Sequence, residues 1–323
     1  MLGQKRLFND GWTFYRSNLK MDYGAVQSHL EEFAPVMIPH DWLIYQEQNL
    51  YEDGCGWYRK VYSYKKEGDP GQTRSVFLRF DGVYMDSTLY VNGKRAGAWK
   101  YGYSAFTVDI GSYLADGDNE ILLQVRFRSP NSRWYSGAGI YRNVWIKECG
   151  ETFLLLDGTY VYTEEIQGRS TDFNVRITTD FRSKKPEDDE ENKITCRYTF
   201  YRDESPLQTP CMEANVSAQN TEKDQFSATY RGMVRGVRRW SPETPNCYIL
   251  IVELVDEDGT VLDKDSYTIG FRKFTFDRDR GLFINGIPTK IKGVCEHHDL
   301  GCLGSAYHHE AMKRKLLALK EMV

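Results

Sequence analysis

The sequence predicts a mainly β protein, two antiparallel sandwiches in series followed by one strand–loop–helix unit, and three observations carry that prediction. Apolar side chains recur at period two: Ile121, Leu123, Val125 and Phe127 alternate with Leu122, Gln124, Arg126 and Arg128, the pattern of a half-buried strand. Short runs of this kind are separated by Gly, Asp, Asn and Pro, with no convincing helical period among them. Only from about His309 does the period change. There Met312, Leu316 and Leu319 fall at i, i+4 and i+7, widened by Leu317 and Met322, which makes one amphipathic helix.

The first β block contains strands predicted over residues 56–64, 75–80, 120–128 and 142–147, and a hairpin over 87–96. The hairpin turns at Asn92-Gly93, the dipeptide that supplies positive φ for a type I′ turn. A second block follows Gly150, with strands over 173–179, 194–201, 225–230, 248–255 and 261–269, the last two joined at Asp258-Gly259. A spacing of about seven short strands over about 120 residues fits an immunoglobulin-like sandwich. The run Lys184-Lys185-Pro186-Glu187-Asp188-Asp189-Glu190-Glu191 mixes both signs around a proline and reads as loop. After the β-like run Ile291-Lys292-Gly293-Val294-Cys295 come Glu296-His297-His298-Asp299 and the terminal helix. A single βα unit cannot close a sheet or a barrel, so the helix's inner face is expected to be covered by a neighbour. The chain reads as the front portion of a larger protein.

Composition narrows the function. With 323 residues, 41% of them hydrophobic, and a formal charge of −4, the chain is globular and long enough for two domains and a remainder. Charges are intermixed without a basic stripe, which argues against nucleic-acid or anionic-membrane partners. No apolar run approaches the ~18 residues of a membrane span, and nothing near Met1 resembles a secretion signal, so the expectation is a cytoplasmic protein or the trimmed form of an exported one. Seven cysteines stand singly, without a Cys-x-x-Cys pair, and are read as buried free thiols. Cys295, His297, His298, Asp299 and Cys302 carry zinc-ligating atoms, but adjacent ligands on an extended strand point to opposite faces. No metal and no cofactor is therefore expected.

Eight motifs occur in the order found in glycoside hydrolase family 2. They are Ile38-Pro39-His40-Asp41-Trp42, Gly56-Trp57-Tyr58-Arg59, Phe80-Asp81-Gly82-Val83, Tyr90-Val91-Asn92-Gly93, the run from Ser136 to Val144 (Ser-Gly-Ala-Gly-Ile-Tyr-Arg-Asn-Val), Trp240-Ser241-Pro242-Glu243-Thr244-Pro245, Gly270-Phe271-Arg272 and Gly293-Val294-Cys295-Glu296-His297-His298-Asp299. The chain resembles the β-galactosidase branch of that family. The resemblance implies a jelly-roll, galactose-binding-like sugar-binding domain over 1–149, an immunoglobulin-like sandwich over 150–274 and, over 275–323, the start of a TIM barrel represented by its opening hairpin, first strand and first helix. It also implies a carbohydrate substrate, retaining hydrolysis of terminal β-galactosides, and leaves homo-oligomerisation open. Retention requires two carboxyl groups roughly 5 Å apart, and by resemblance both glutamates lie beyond Val323, so the chain alone is expected to be inactive. β-Glucuronidase of the same family, or a non-catalytic carbohydrate-binding protein of two sandwiches, are the alternatives.

Substrate contacts are expected where the first barrel strand ends. By resemblance the third position of His297-His298-Asp299 reaches a sugar hydroxyl, which selects Asp299, with His298 beside it; an ionised carboxylate accepts two such hydrogen bonds. In the family, galactosidases place His-Glu-His and glucuronidases His-Glu-Asp at this triplet. A structural alternative pairs His297 with Asp299 to hold the strand end. Arg133, Glu52 and Asp53 lie in loops that align with segments reaching over the barrel mouth. Trp57, Trp134 and Trp145 are read as core rather than as sugar-stacking platforms.

Overall fold

Period-two apolar patterning builds both β bodies of the computed structural model, which describes residues 5–45, 47–66, 74–184, 194–202, 210–222 and 224–322. In the first, a six-stranded antiparallel sheet runs in the order Ala34–Val36, Trp12–Ser17, Gly54–Tyr64, Gly117–Phe127, Ser87–Val91, Lys94–Trp99. A four-stranded sheet, in the order Arg6–Leu7, Val144–Glu148, Val76–Phe80, Phe106–Asp109, completes the jelly-roll sandwich. Tyr58, Leu78, Phe80, Leu123, Val125, Phe127 and Ile146 form its buried core. Asn92 and Gly93 both have positive φ (47° and 79°), as the type I′ turn between Val91 and Lys94 requires.

Two details differ from the alternation read in the sequence. Leu122 and Gln124, expected to face solvent, are buried. The reason is a covering segment: the short helix Tyr23–Val26 and the 3₁₀ turn Gln27–Glu32 bring Val26, Tyr23 and Phe33 to a second small core around Trp57 and Leu122, and Gln124 donates to the Met21 carbonyl at 3.2 Å. Trp57 is core, as read, and Trp145 is half-buried with its indole N–H on Asp81. Trp134 is not core. It lies in a surface loop, 39% exposed.

The second unit, residues 149–293, is an immunoglobulin-like sandwich. One sheet has the order Thr152–Ile166, Arg169–Ser183, Gln225–Val234, Gln219–Glu222; the other has Met212–Ser217, Thr195–Arg202, Tyr248–Val255, Val261–Ile269. Phe173, Ile177, Phe181, Tyr198, Leu250 and Phe271 pack between them. A three-stranded sheet, Phe274–Asp277, Gly281–Ile284 and Ile287–Pro288, folds with this unit, Asn285 donating to the Trp240 carbonyl at 2.9 Å. The charge run after Lys184 lies outside the described residues.

Residues 294–323 form one compact unit with the jelly roll. Two expectations fail here. Residues 291–295 form no strand, because a strand exists through its ladder and the described residues offer these no partner. The helix His309–Glu321 does form, but its apolar stripe is uncovered: Leu316 is 55% and Met322 79% exposed, Leu317 is exposed, and Met312 and Leu319 are only half-buried. Cysteine burial is also mixed. Cys55, Cys149 and Cys196 are buried, whereas Cys211, Cys295 and Cys302 are exposed. Among the described residues no helix is long and apolar enough to cross a membrane, and no group of His, Cys, Asp or Glu is placed to hold a metal ion.

Candidate functional site

Asp41 organises the site. It is buried and receives five hydrogen bonds: Oδ1 accepts from the backbone N–H groups of Leu43 (3.1 Å) and Ala138 (3.0 Å), and Oδ2 from the Tyr135 hydroxyl (2.6 Å), the Ser305 N–H (2.9 Å) and the Ser305 hydroxyl (3.0 Å). A buried carboxylate needs such a full set, since each unmet polar contact in the interior costs about 1–3 kcal/mol. Two glycines make the approach possible. A Cβ at Gly137 (φ 66°) would fall 1.9 Å from Ser305 Oγ, and one at Gly304 (φ 58°) 2.4 Å from Asp41 Oδ2. Asp41 therefore ties three stretches, 41–43, 135–138 and 304–305, into one knot. The Tyr307 N–H adds a bond to the Tyr141 carbonyl at 2.9 Å.

His40 lies against this knot from inside the core. Its Nδ1 is 2.7 Å from the Tyr58 hydroxyl and its Nε2 3.0 Å from that of Tyr45. Because the Tyr58 oxygen already takes the Ile140 N–H, the pairing in which it donates to Nδ1 and Nε2–H donates to Tyr45 satisfies every group. Burial lowers the His40 pKa to about 4, against an opposing pull from Asp41, so the ring is neutral. Burial, then the charge of Asp41 and its hydrogen bond, raise the Tyr135 phenol well above its usual value, with further contributions from Tyr51 and Asp299, so Tyr135 stays protonated and donates to Asp41.

With Ser305 fixed, the polypeptide just before it is laid along an aromatic edge of the jelly roll. His298 Nε2 is 3.0 Å from the Ser136 carbonyl, which can only accept, so Nε2 carries the proton. The imidazole meets Tyr103 edge-on and Tyr141 at a tilt, each with centroids 5.6 Å apart. His297 faces Trp134 (5.9 Å), whose indole N–H donates to the Tyr103 hydroxyl at 3.0 Å. No His297–Asp299 pair forms among the described residues. The triplet is held instead from the helix: Lys315 donates to the carbonyls of His297 (3.2 Å) and Asp299 (3.0 Å) and pairs with Glu296. Asp299 is half-buried, and its charge is felt by Tyr135.

Of the residues singled out in the sequence, Asp299 and His298 thus stand in one held triplet, whose His297 faces Trp134. Arg133 is exposed next to Trp134 and has no ion pair among the described residues. The 51–53 loop borders the same place, since Tyr51 meets Tyr135 edge-on at 6.4 Å. Within that loop Glu52 is paired with Arg16 at 2.8 Å, and Asp53 accepts the Ser129 N–H at 2.6 Å, so both shape loops. Sequence reasoning missed Asp41, Tyr135, Ser305 and Tyr103. The signal for Asp41 lay in plain view in Pro39-His40-Asp41-Trp42; what it bonds lies 97 and 264 residues away.

A jelly roll that presents an aromatic edge and a pinned His-His-Asp triplet, followed by an immunoglobulin-like sandwich, is an arrangement shared with known proteins, and the chain belongs to glycosyl hydrolases family 2. The model "Glycosyl hydrolases family 2, sugar binding domain" matches residues 6–149, and the model "Glycosyl hydrolases family 2" matches residues 156–272. The chain is 35% identical to the β-galactosidase BoGH2A of Bacteroides ovatus over 98% of its own length and 37% of the relative's. It is 29% identical to a putative β-glucuronidase of Formosa agariphila, over 98% of its length and 30% of that protein's. Its fold is that of the crystal structure of a putative β-galactosidase from Bacteroides fragilis, with TM-score 0.84, 24% identity, and coverage of 99% of this chain and 48% of the other. The chain therefore spans less than half of the relatives it matches.

Proposed function

We propose that this chain is the N-terminal portion of a retaining β-galactosidase, acting on terminal β-galactosides in carbohydrate metabolism. The observation that supports the reading is the placement of Asp299: a half-buried residue whose main chain is held by Lys315 and lies just before the Asp41–Ser305 knot, in the triplet whose His297 faces the exposed indole of Trp134. A sugar ring stacked on Trp134 would present hydroxyls to Asp299, whose two oxygens accept charge-assisted hydrogen bonds. His298 has one nitrogen engaged by Ser136, which leaves Nδ1 as the atom it can offer a hydroxyl. Arg133 flanks the same surface as a cation, and Glu52 and Asp53 support its rim. The two carboxyl groups of the retaining mechanism, one alternating as acid and base and one as nucleophile, belong in this reading to a barrel segment beyond Val323. The identity to a β-galactosidase supports galactoside as the substrate.

A second reading within the family is β-glucuronidase. Asp299 in the third position of the triplet matches the glucuronidase pattern, and a relative described as a putative β-glucuronidase aligns over nearly the whole chain. Matched chromogenic β-galactoside and β-glucuronide substrates decide between the two. The 323-residue chain alone is expected to hydrolyse neither above a buffer blank, whereas a chain extended through a barrel turns over the galactoside. Turnover by the 323-residue chain would overturn the proposal, and preference of the extended enzyme for the glucuronide would replace galactoside by uronide.

A further inference from the structure

The outer face of one sheet in the immunoglobulin-like unit carries a feature that folding does not explain. Across the strands Thr152–Ile166, Arg169–Ser183 and Gln225–Val234, three residues stand in register in each row: Glu164, Asn174 and Met233; Tyr162, Arg176 and Arg231; Tyr160, Thr178 and Thr229. The intervening row, Val161, Ile177 and Tyr230, packs into the core, so these rows face outward. Arg176 and Arg231 are directly opposite one another, an arrangement in which like charges repel. Neither has an ion pair among the described residues. Arg176 instead lies over the Tyr162 ring at 5.4 Å. Tyr162 and Tyr160 are 43% and 60% exposed, an unusual pair of open rings on one strand face. The two arginines, Tyr162, Glu164, Asn174 and Met233 line a groove of about 500 Å³.

We propose that this groove binds an acidic oligosaccharide, a function apart from hydrolysis. The carboxylate or sulfate of one sugar sits between the guanidinium groups of Arg176 and Arg231, whose fork geometry suits such anions and whose mutual repulsion the anion relieves. A ring packs on Tyr162 or Tyr160, which lie about 7 Å apart as i and i+2 on a strand. Asn174 and Glu164 meet the hydroxyls. Charge complementarity selects the anion, and membership of a sugar-acting family selects a saccharide over other anions. The inference does not depend on whether the parent enzyme cleaves galactosides or glucuronides, since it concerns a different unit and is read by binding alone.

Calorimetric titration of the full 323-residue chain at low salt tests it with three probes: tetragalacturonate, its neutral counterpart galactotetraose, and a sulfated tetrasaccharide. Saturable binding of an acidic probe is expected, with the neutral one at least about tenfold weaker, because the neutral probe forgoes a charge-assisted contact with the guanidinium pair. Which acidic probe binds more tightly assigns carboxylate or sulfate as the anion; either supports the site. Arg231→Gln and Tyr162→Ala are each expected to weaken binding about tenfold or more, with unchanged thermal unfolding because both positions are exposed. Amide shift changes on titration are expected at residues 162, 174, 176 and 231. Absence of saturable binding, equal binding of neutral and acidic probes, or binding indifferent to both variants would overturn the proposal.

Discussion

The jelly roll and the segment that folds against it, residues 294–323, belong to one compact unit but are held by opposite means. The jelly roll closes around apolar side chains: Phe80, Leu123, Val125 and Ile146 are fully buried. The later segment leaves its apolar atoms outside, with Val294, Leu316, Leu317 and Met322 exposed, and is fastened by polar atoms at a few points, Ser305 on Asp41, His298 on Ser136 and Tyr307 on Tyr141. The hydrophobic effect is proportional to area and indifferent to geometry, whereas a buried carboxylate with five donors fixes position closely and tolerates little change. In the proposed reading, where Asp299 meets substrate at a defined place, the second kind of attachment serves it better.

That contrast is broken most directly at Asp41. Asp41→Ala removes the acceptor from three backbone N–H groups and two hydroxyls, and is expected to cost about 3 kcal/mol or more. Amide exchange should quicken first at residues 297–305 and far less in Gly117–Phe127. Uniform loss of protection would mean that Asp41 is a general core residue and not a local fastening.

His40 sharpens the comparison through pH. Its folded pKa, about 4, lies below the unfolded value of about 6.5, so between those values the unfolded chain binds more protons and stability rises with pH. The contribution is complete above about pH 6.5 and is lost progressively as pH falls through 4, amounting to about 3 kcal/mol. Denaturant unfolding of the chain between pH 4 and 7 should show that slope, and His40→Gln should flatten it. An unchanged slope in the variant would assign the pH dependence elsewhere.

The smallest effect is expected on the helix. Leu316→Lys replaces an exposed leucine and should change stability by no more than about 0.5 kcal/mol, while lowering self-association of the 323-residue chain in light scattering. A large loss of stability would mean that the stripe is buried in solution.

Legibility followed the range of the interactions. Strands Tyr248–Val255 and Val261–Ile269 were readable end to end because alternation is local. Thr152–Ile166 was missed because Asp157-Gly158 carries a turn signature in its middle; the strand runs through it as a bulge, with Asp157 at φ 61° and the register shifting between Leu154 and Thr159. The strand expected at 291–295 failed for the converse reason, a good pattern without a pairing partner. At the site, Asp299 and His298 could be named from a motif, but the groups that position them could not. Asp41, Tyr135 and Ser305 meet only after the chain has folded, and Trp134 carries no local mark to distinguish an exposed ring from the buried ring of Trp57.

The central claim, that Asp299 is presented to substrate by a polar fastening, is tested by steady-state kinetics of Asp299→Ala in the barrel-extended enzyme, alongside its thermal unfolding. The account predicts that kcat/KM for a β-galactoside falls at least about tenfold, about 1.4 kcal/mol of transition-state stabilisation, with the unfolding temperature unchanged. Unchanged kinetics, or a loss of activity that merely follows a loss of folding, would contradict it and return Asp299 to a structural role.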